Sequence, residues 1–116
     1  MPWQQYVPVQ GSAPPAFTRR NVFLRDGFCC QYCENKFPIG QLTYDHVIPV
    51  SRKGPNAWTN VVTACNYCNG KKGNKLLKDT DMKLKVQPYM PTRYELQRKA
   101  RQYPPKNLHA DWEDYV

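Results

Sequence analysis

Two kinds of segment are missing from this 116-residue chain. No apolar run approaches the ~20 residues that cross a bilayer, which argues against a membrane-spanning role. The opening Met1-Pro2-Trp3-Gln4-Gln5 has neither the basic start nor the apolar stretch of a secretory leader. The expected compartment is therefore cytoplasmic and reducing. There are no internal repeats, so a repeat array is excluded. Acidic residues are scarce as well: 9 Asp+Glu against 17 Lys+Arg give a net charge of +8 and a pI near 9.4. In so small a chain, that imbalance favours a polyanionic partner such as nucleic acid over a membrane.

The core must be modest, because apolar residues make up 41% of the chain and mean hydropathy is −0.77. A chain of this size gains from a staple. Of the 11 prolines, Pro2, Pro8, Pro14 and Pro15 crowd the start, and Pro88, Pro91, Pro104 and Pro105 the C-terminal part. This punctuation predicts an N-terminal arm over 1–16, a compact small α+β domain over 17–77, and a basic extension over 78–116 packing on that domain.

Within the compact part, Thr18 is placed to cap a short helix that Gly27 ends. Val22, Phe23 and Phe17 should face the core, while Arg19, Arg20 and Arg25 reach solvent or phosphate. Leu42–Ile48 reads as a strand, Ser51–Asn56 as a loop and Val61–Ala64 as a short returning strand. A helix should start at Cys65 and weaken at Gly73. Trp58 is expected as a packing residue between the strands. Thr92–Arg101 is expected to be helical, with Trp112 and Tyr115 anchoring the C-terminus; isolated His109 is given no role.

The staple is legible in the cysteines. Cys30-Gln31-Tyr32-Cys33 and Cys65-Asn66-Tyr67-Cys68 are two CxxC pairs, each able to supply two thiolates from one tight turn. In a reducing compartment zinc ligation is favoured over two disulfides. Four protein ligands close the coordination shell, so Cys30, Cys33, Cys65 and Cys68 predict a structural zinc rather than a catalytic one. Cys29 is left as a partly buried spare thiol.

Asp45-His46-Val47-Ile48-Pro49, Asn60 and Cys68-Asn69-Gly70-Lys71-Lys72, framed by these pairs, resemble the motif of the cysteine-containing bacterial HNH endonucleases. Arg20-Asn21-Val22-Phe23, Arg25-Asp26-Gly27 and Val61-Val62-Thr63-Ala64-Cys65 strengthen the likeness, which covers roughly Phe17 to Pro91. Lys75-Leu76-Leu77-Lys78-Asp79 departs from the Arg-Thr-Pro-type segment that many members carry there. The resemblance implies a ββα-metal core: two antiparallel strands and a helix around one divalent cation, Mg²⁺ or Mn²⁺. It implies Asp45 and Asn69 as ligands of that cation and His46 as the base that deprotonates water. Asn60 is then the residue that pins the loop and steadies His46.

The resemblance further implies products with 3′-hydroxyl and 5′-phosphate ends. The carboxylate of Asp45 is a hard donor suited to such a cation, and a backbone carbonyl is expected on the far ring nitrogen of His46. Adjacent strand residues point to opposite faces, so a twist or bulge is needed to bring Asp45 and His46 to one phosphate. Lys71, Lys72, Arg52 and Lys53 are the expected phosphate contacts. DNA is the expected substrate, with RNA as an alternative target. A monomer would nick, and cutting both strands would need a homodimer or a second event. The rival from another class is a zinc-ribbon DNA-binding module without catalysis, which would have no need of Asp45-His46 or Asn69.

Overall fold

The computed structural model describes residues 14–102. Helix α1 spans Arg19–Arg25, and Thr18 caps it by accepting the Asn21 N–H at 3.1 Å. Gly27, at φ 66°, takes the chain out of the helix. Two five-residue strands follow, β1 (Leu42–His46) and β2 (Val61–Cys65). They pair antiparallel from Leu42 opposite Cys65 to His46 opposite Val61. Helix α2 (Asn66–Lys72) starts where β2 stops, and the Sγ of Cys65 accepts the Cys68 N–H at 3.4 Å as its cap. Helix α3 (Arg93–Ala100) begins under the Thr92 cap. Among the described residues, no helix is long and apolar enough to cross a membrane.

β1 ends two residues before the expected Ile48. The chain turns away there because Asn60 takes over the ladder: its carbonyl accepts Val47 N–H at 2.8 Å and its Oδ1 accepts Ile48 N–H at 2.9 Å. β2 is buried along its whole length, with α1 and α2 both packed on it, so it shows no polar alternation.

The main core joins Val22, Phe23, Leu24 and Phe28 to Leu42, Trp58, Val61 and Leu96. Phe17 packs at its edge, its ring 5.1 Å from that of Trp58. Leu96 comes from α3, so residues on both sides of position 77 share this core. A second cluster is formed by Cys30, Ala64, Cys65 and Cys68. Trp112, Tyr115 and His109 lie outside the described residues.

Arg25 is not at the surface as expected: it is 2% exposed. Its guanidinium donates to both carboxylate oxygens of Asp26 and to the carbonyls of Trp58, Val61 and Tyr89, at 2.6 to 3.1 Å. The rings of Trp58 and Tyr89 each lie 5.5 Å from it. A planar fork of five donors can fill such a constellation, which a point-charge ammonium cannot. Asp26 offsets the buried charge and also accepts the Thr63 N–H, tying α1 to β2.

Candidate active site and metal sites

The two CxxC turns meet between the start of β1 and the start of α2. The four Sγ atoms of Cys30, Cys33, Cys65 and Cys68 all lie within 4.8 Å of one another, with Cys33 and Cys65 at 4.0 Å. A tetrahedron with Zn–S bonds of ~2.3 Å needs sulfur separations of about 3.8 Å. The cluster therefore fits a zinc ion. Backbone N–H groups already point at two of the sulfurs, Cys33 N to Cys30 Sγ and Cys68 N to Cys65 Sγ. Burial pushes the Cys30 and Cys68 thiols above their ordinary pKa, a cost that ligation to a cation would reverse. All five cysteines are free thiols, and Cys29 stays outside the cluster, its backbone bridged to that of Lys36.

Asp45, His46 and Asn69 line one cleft of about 380 Å³, together with Pro49, Val50 and Asn74. Neighbours on an ideal strand would face opposite ways. Here His46 is the last residue of β1, where the strand turns off, and both residues border the same space. α2 runs back from the cysteine cluster and brings Asn69 to it.

Each of these side chains is held by neighbours. Asp45 is buried, and its Oδ2 accepts the Tyr32 hydroxyl at 2.6 Å and lies 3.2 Å from Lys72 Nζ. Burial, then the hydrogen bond to Asp45, pushes the Tyr32 phenol well above its ordinary pKa, so it stays a donor. His46 Nε2 lies 2.9 Å from the side-chain oxygen of Asn56, not against a backbone carbonyl as expected. An amide oxygen can only accept, so in the neutral ring this contact favours the tautomer with the proton on Nε2 and the lone pair on Nδ1.

Asn60 is buried and spends its amide on the loop: besides accepting from Ile48 N–H, it donates to the carbonyls of Ile48 at 3.0 Å and Pro55 at 2.9 Å. Those bonds close the segment that carries Asn56. Gly54 lies in the same closure, where a Cβ would fall 1.6 Å from the Ile48 carbonyl oxygen. Only glycine fits there.

Of the four basic residues expected on phosphate, Lys72 is misplaced. Its side chain is wholly buried, and Nζ also donates to the His46 carbonyl at 3.1 Å. An ammonium with no surface access cannot meet a phosphate, and it serves Asp45 instead. Arg52 and Lys53 are exposed, Arg52 donating to the carbonyl of Asn74 on the cleft wall. Lys71 is half-exposed and 3.7 Å from Asp81. Tyr32 and Asn56 were not singled out by sequence. Tyr32 is hidden between two zinc-type cysteines, and Asn56 looks like any polar loop residue.

Residues 30–75 match a family model described as HNH endonuclease. Over these residues the chain is similar to HNH endonucleases. The matched segment begins at the first zinc-type cysteine, contains the hairpin, the cleft and α2, and ends just past Gly73. The HNH domain implies a nucleic-acid substrate, while α1 and α3 lie outside the matched segment and complete its core. No curated protein matches the chain.

Proposed function

We propose that this HNH domain hydrolyses DNA phosphodiester bonds with the aid of Mg²⁺ or Mn²⁺, nicking one strand per site. The observation that carries the reading is the convergence of Asp45, His46 and Asn69 on one cleft. The residues suit a hard cation. Asp45 has its Oδ2 engaged by Tyr32 and Lys72, which leaves Oδ1 as a donor, and the amide of Asn69 supplies a neutral oxygen. Such a cation, when bound, would neutralise charge on the scissile phosphate and on the leaving 3′ oxygen.

The rest of the chemistry belongs to His46. Its Nδ1 takes the proton of the attacking water, while the Asn56 oxygen on Nε2–H holds the ring in that tautomer and favours the imidazolium that forms. Asn60 keeps the supporting loop in place and touches no reacting atom. Arg52, Lys53 and Lys71 provide cationic groups for the DNA backbone, so binding should weaken steeply as salt rises. A non-catalytic zinc ribbon would not need a buried carboxylate clamped beside a tautomer-fixed histidine.

The test is supercoiled plasmid incubated with Mg²⁺ or Mn²⁺, with nicked and linear products resolved and an RNA substrate run in parallel. Wild type should nick, and His46→Ala should lose roughly 10²–10⁴-fold in rate. Equal nicking by both proteins, or none by either with any metal, would overturn the reading.

A further inference from the structure

A buried ammonium needs a partner, and Lys72 takes its partner from the proposed active site. Its Nζ lies 3.2 Å from Asp45 Oδ2, and the Tyr32 hydroxyl lies 2.6 Å from the same oxygen. Two donors on one oxygen fix the carboxylate's rotation and leave Oδ1 toward other ligands. Both donors are themselves anchored beside the cysteine cluster. Tyr32 sits between Cys30 and Cys33, and Lys72 follows Cys68 by one turn of α2. The Lys72 ammonium also holds the His46 carbonyl, so a single cation braces both adjacent site residues.

This arrangement has a consequence in charge. Asp45 is the one acidic residue on the cleft wall among the described residues, and Lys72 already cancels its charge. Asn69 is neutral, and of the other lining residues Tyr44, Pro49, Val50, Ser51, Gly73 and Asn74 add no charge. A divalent cation entering the cleft therefore meets a protein site of net charge near zero. Oxygen-ligand sites hold hard cations more tightly as their count of charged ligands rises. The missing negative charge must come from elsewhere, and a phosphodiester carries it.

Resting on the reading of Asp45 as a cation ligand, we propose that Tyr32 and Lys72 are positioning residues that present Asp45 Oδ1 while cancelling the carboxylate's charge. The divalent cation is then held tightly only together with a nucleic-acid phosphodiester. The order of assembly follows: the nucleic acid brings the charge that completes the cation site, and free protein stays largely empty of the catalytic ion.

The experiment uses zinc-loaded full-length protein on a His46→Ala background, so that ordinary duplex DNA is not turned over. Mn²⁺ is titrated with free ion read by electron paramagnetic resonance, with and without duplex, and the duplex's own uptake is subtracted. Mn²⁺ affinity should rise at least roughly tenfold when duplex is present, and Tyr32→Phe should lower that duplex-dependent affinity by roughly tenfold. Tyr32→Phe should keep its zinc and should bind duplex normally without Mn²⁺. Equal Mn²⁺ affinity with and without duplex would overturn the proposal, as would an unchanged affinity in Tyr32→Phe. Should Tyr32→Phe fail to load zinc, the comparison with and without duplex on the parent protein decides alone. Asp45→Asn separates the two levels. If it binds Mn²⁺ like the parent, the ligand reading beneath the proposal is wrong; if it loses the ion while Tyr32→Phe does not, only the positioning role fails.

Discussion

The cysteine cluster and the Asp45–His46 cleft are built on the same hairpin and the same short helix, yet they meet opposite demands. Cys65 caps α2 and Cys68 sits in its first turn, while Asn69, the next residue, borders the cleft and Lys72 closes the helix beneath it. The cluster brings together four soft donors and no place for substrate. The cleft offers a single carboxylate, a neutral amide and an imidazole, and it is open. A site with every ligand position filled by protein can add only stability, whereas an open site can do chemistry at little gain in stability. Seven residues of helix thus connect the proposed staple to the proposed reaction centre.

If that division is right, the largest effect comes from dismantling the staple. Removing zinc with a strong chelator, or replacing Cys68 by Ser, should abolish cooperative thermal unfolding. A domain of this size has only about 5–15 kcal/mol to lose, and structural zinc contributes a comparable amount. Zinc content and far-UV circular dichroism read the result. A zinc-free protein that still melted cooperatively would break the comparison.

The cleft should behave in the opposite way. In the plasmid assay, His46→Ala removes roughly 10²–10⁴-fold of rate. Its stability should nevertheless stay within about 0.5 kcal/mol of wild type, as for an ordinary partly exposed position. Chemical denaturation of the same preparation checks this. A large loss of stability would mean that His46 is part of the scaffold.

Between these extremes lies the loop that closes over Asn60. Gly54→Ala would drive a Cβ to 1.6 Å from the Ile48 carbonyl oxygen and 3.0 Å from the Asn60 amide. Backbone cannot yield as a flexible side chain can. We expect a loss of about 2–4 kcal/mol, from overpacking and from Asn60 bonds that no longer close. Activity should fall too, because the same loop carries Asn56 to His46. Normal activity in a destabilised Gly54→Ala protein would show that the loop supports the fold but not the base.

The contrast also explains what could be read from the sequence. The zinc-type cysteines, the Thr18 cap and the ends at Gly27 and Gly73 were legible because each rests on residues a few positions apart. Asp45, His46 and Asn69, which line one cleft, stand in one motif of the sequence. What escaped was every feature made by distant partners. Arg25 and Lys72 look like surface charges because an unpaired charge belongs in water. Arg25 is buried because carbonyls of Trp58, Val61 and Tyr89 converge on it, and Lys72 because Asp45 and the His46 carbonyl do. No local spacing encodes those meetings. The end of β1 at His46 was missed for the same reason, since Asn60 captures the backbone beyond it.

The smallest effect is expected far from both sites, on α3, and it tests whether stability can be changed without touching chemistry. Glu95 accepts the Tyr89 hydroxyl and pairs with Lys99 Nζ at 3.0 Å. Burial alone would raise the Glu95 pKa, but the Tyr89 hydrogen bond and Lys99 outweigh it, so the carboxyl sits below its ordinary range. Tyr89 in turn is raised, by burial and then by Glu95, and stays protonated. A carboxyl lowered in the folded state stabilises fully above its unfolded pKa, and that contribution is lost as pH falls through the folded value. Glu95→Gln should therefore cost at most about 1 kcal/mol near neutral pH, and progressively less as acid removes the same charge from the wild type. Urea denaturation of both proteins across the acidic range measures the converging curves, and nicking at neutral pH should be unchanged. Parallel curves would remove Glu95 as a source of acid sensitivity. A loss of nicking in a stably folded Glu95→Gln protein would show instead that α3, outside the matched HNH segment, shapes the cleft.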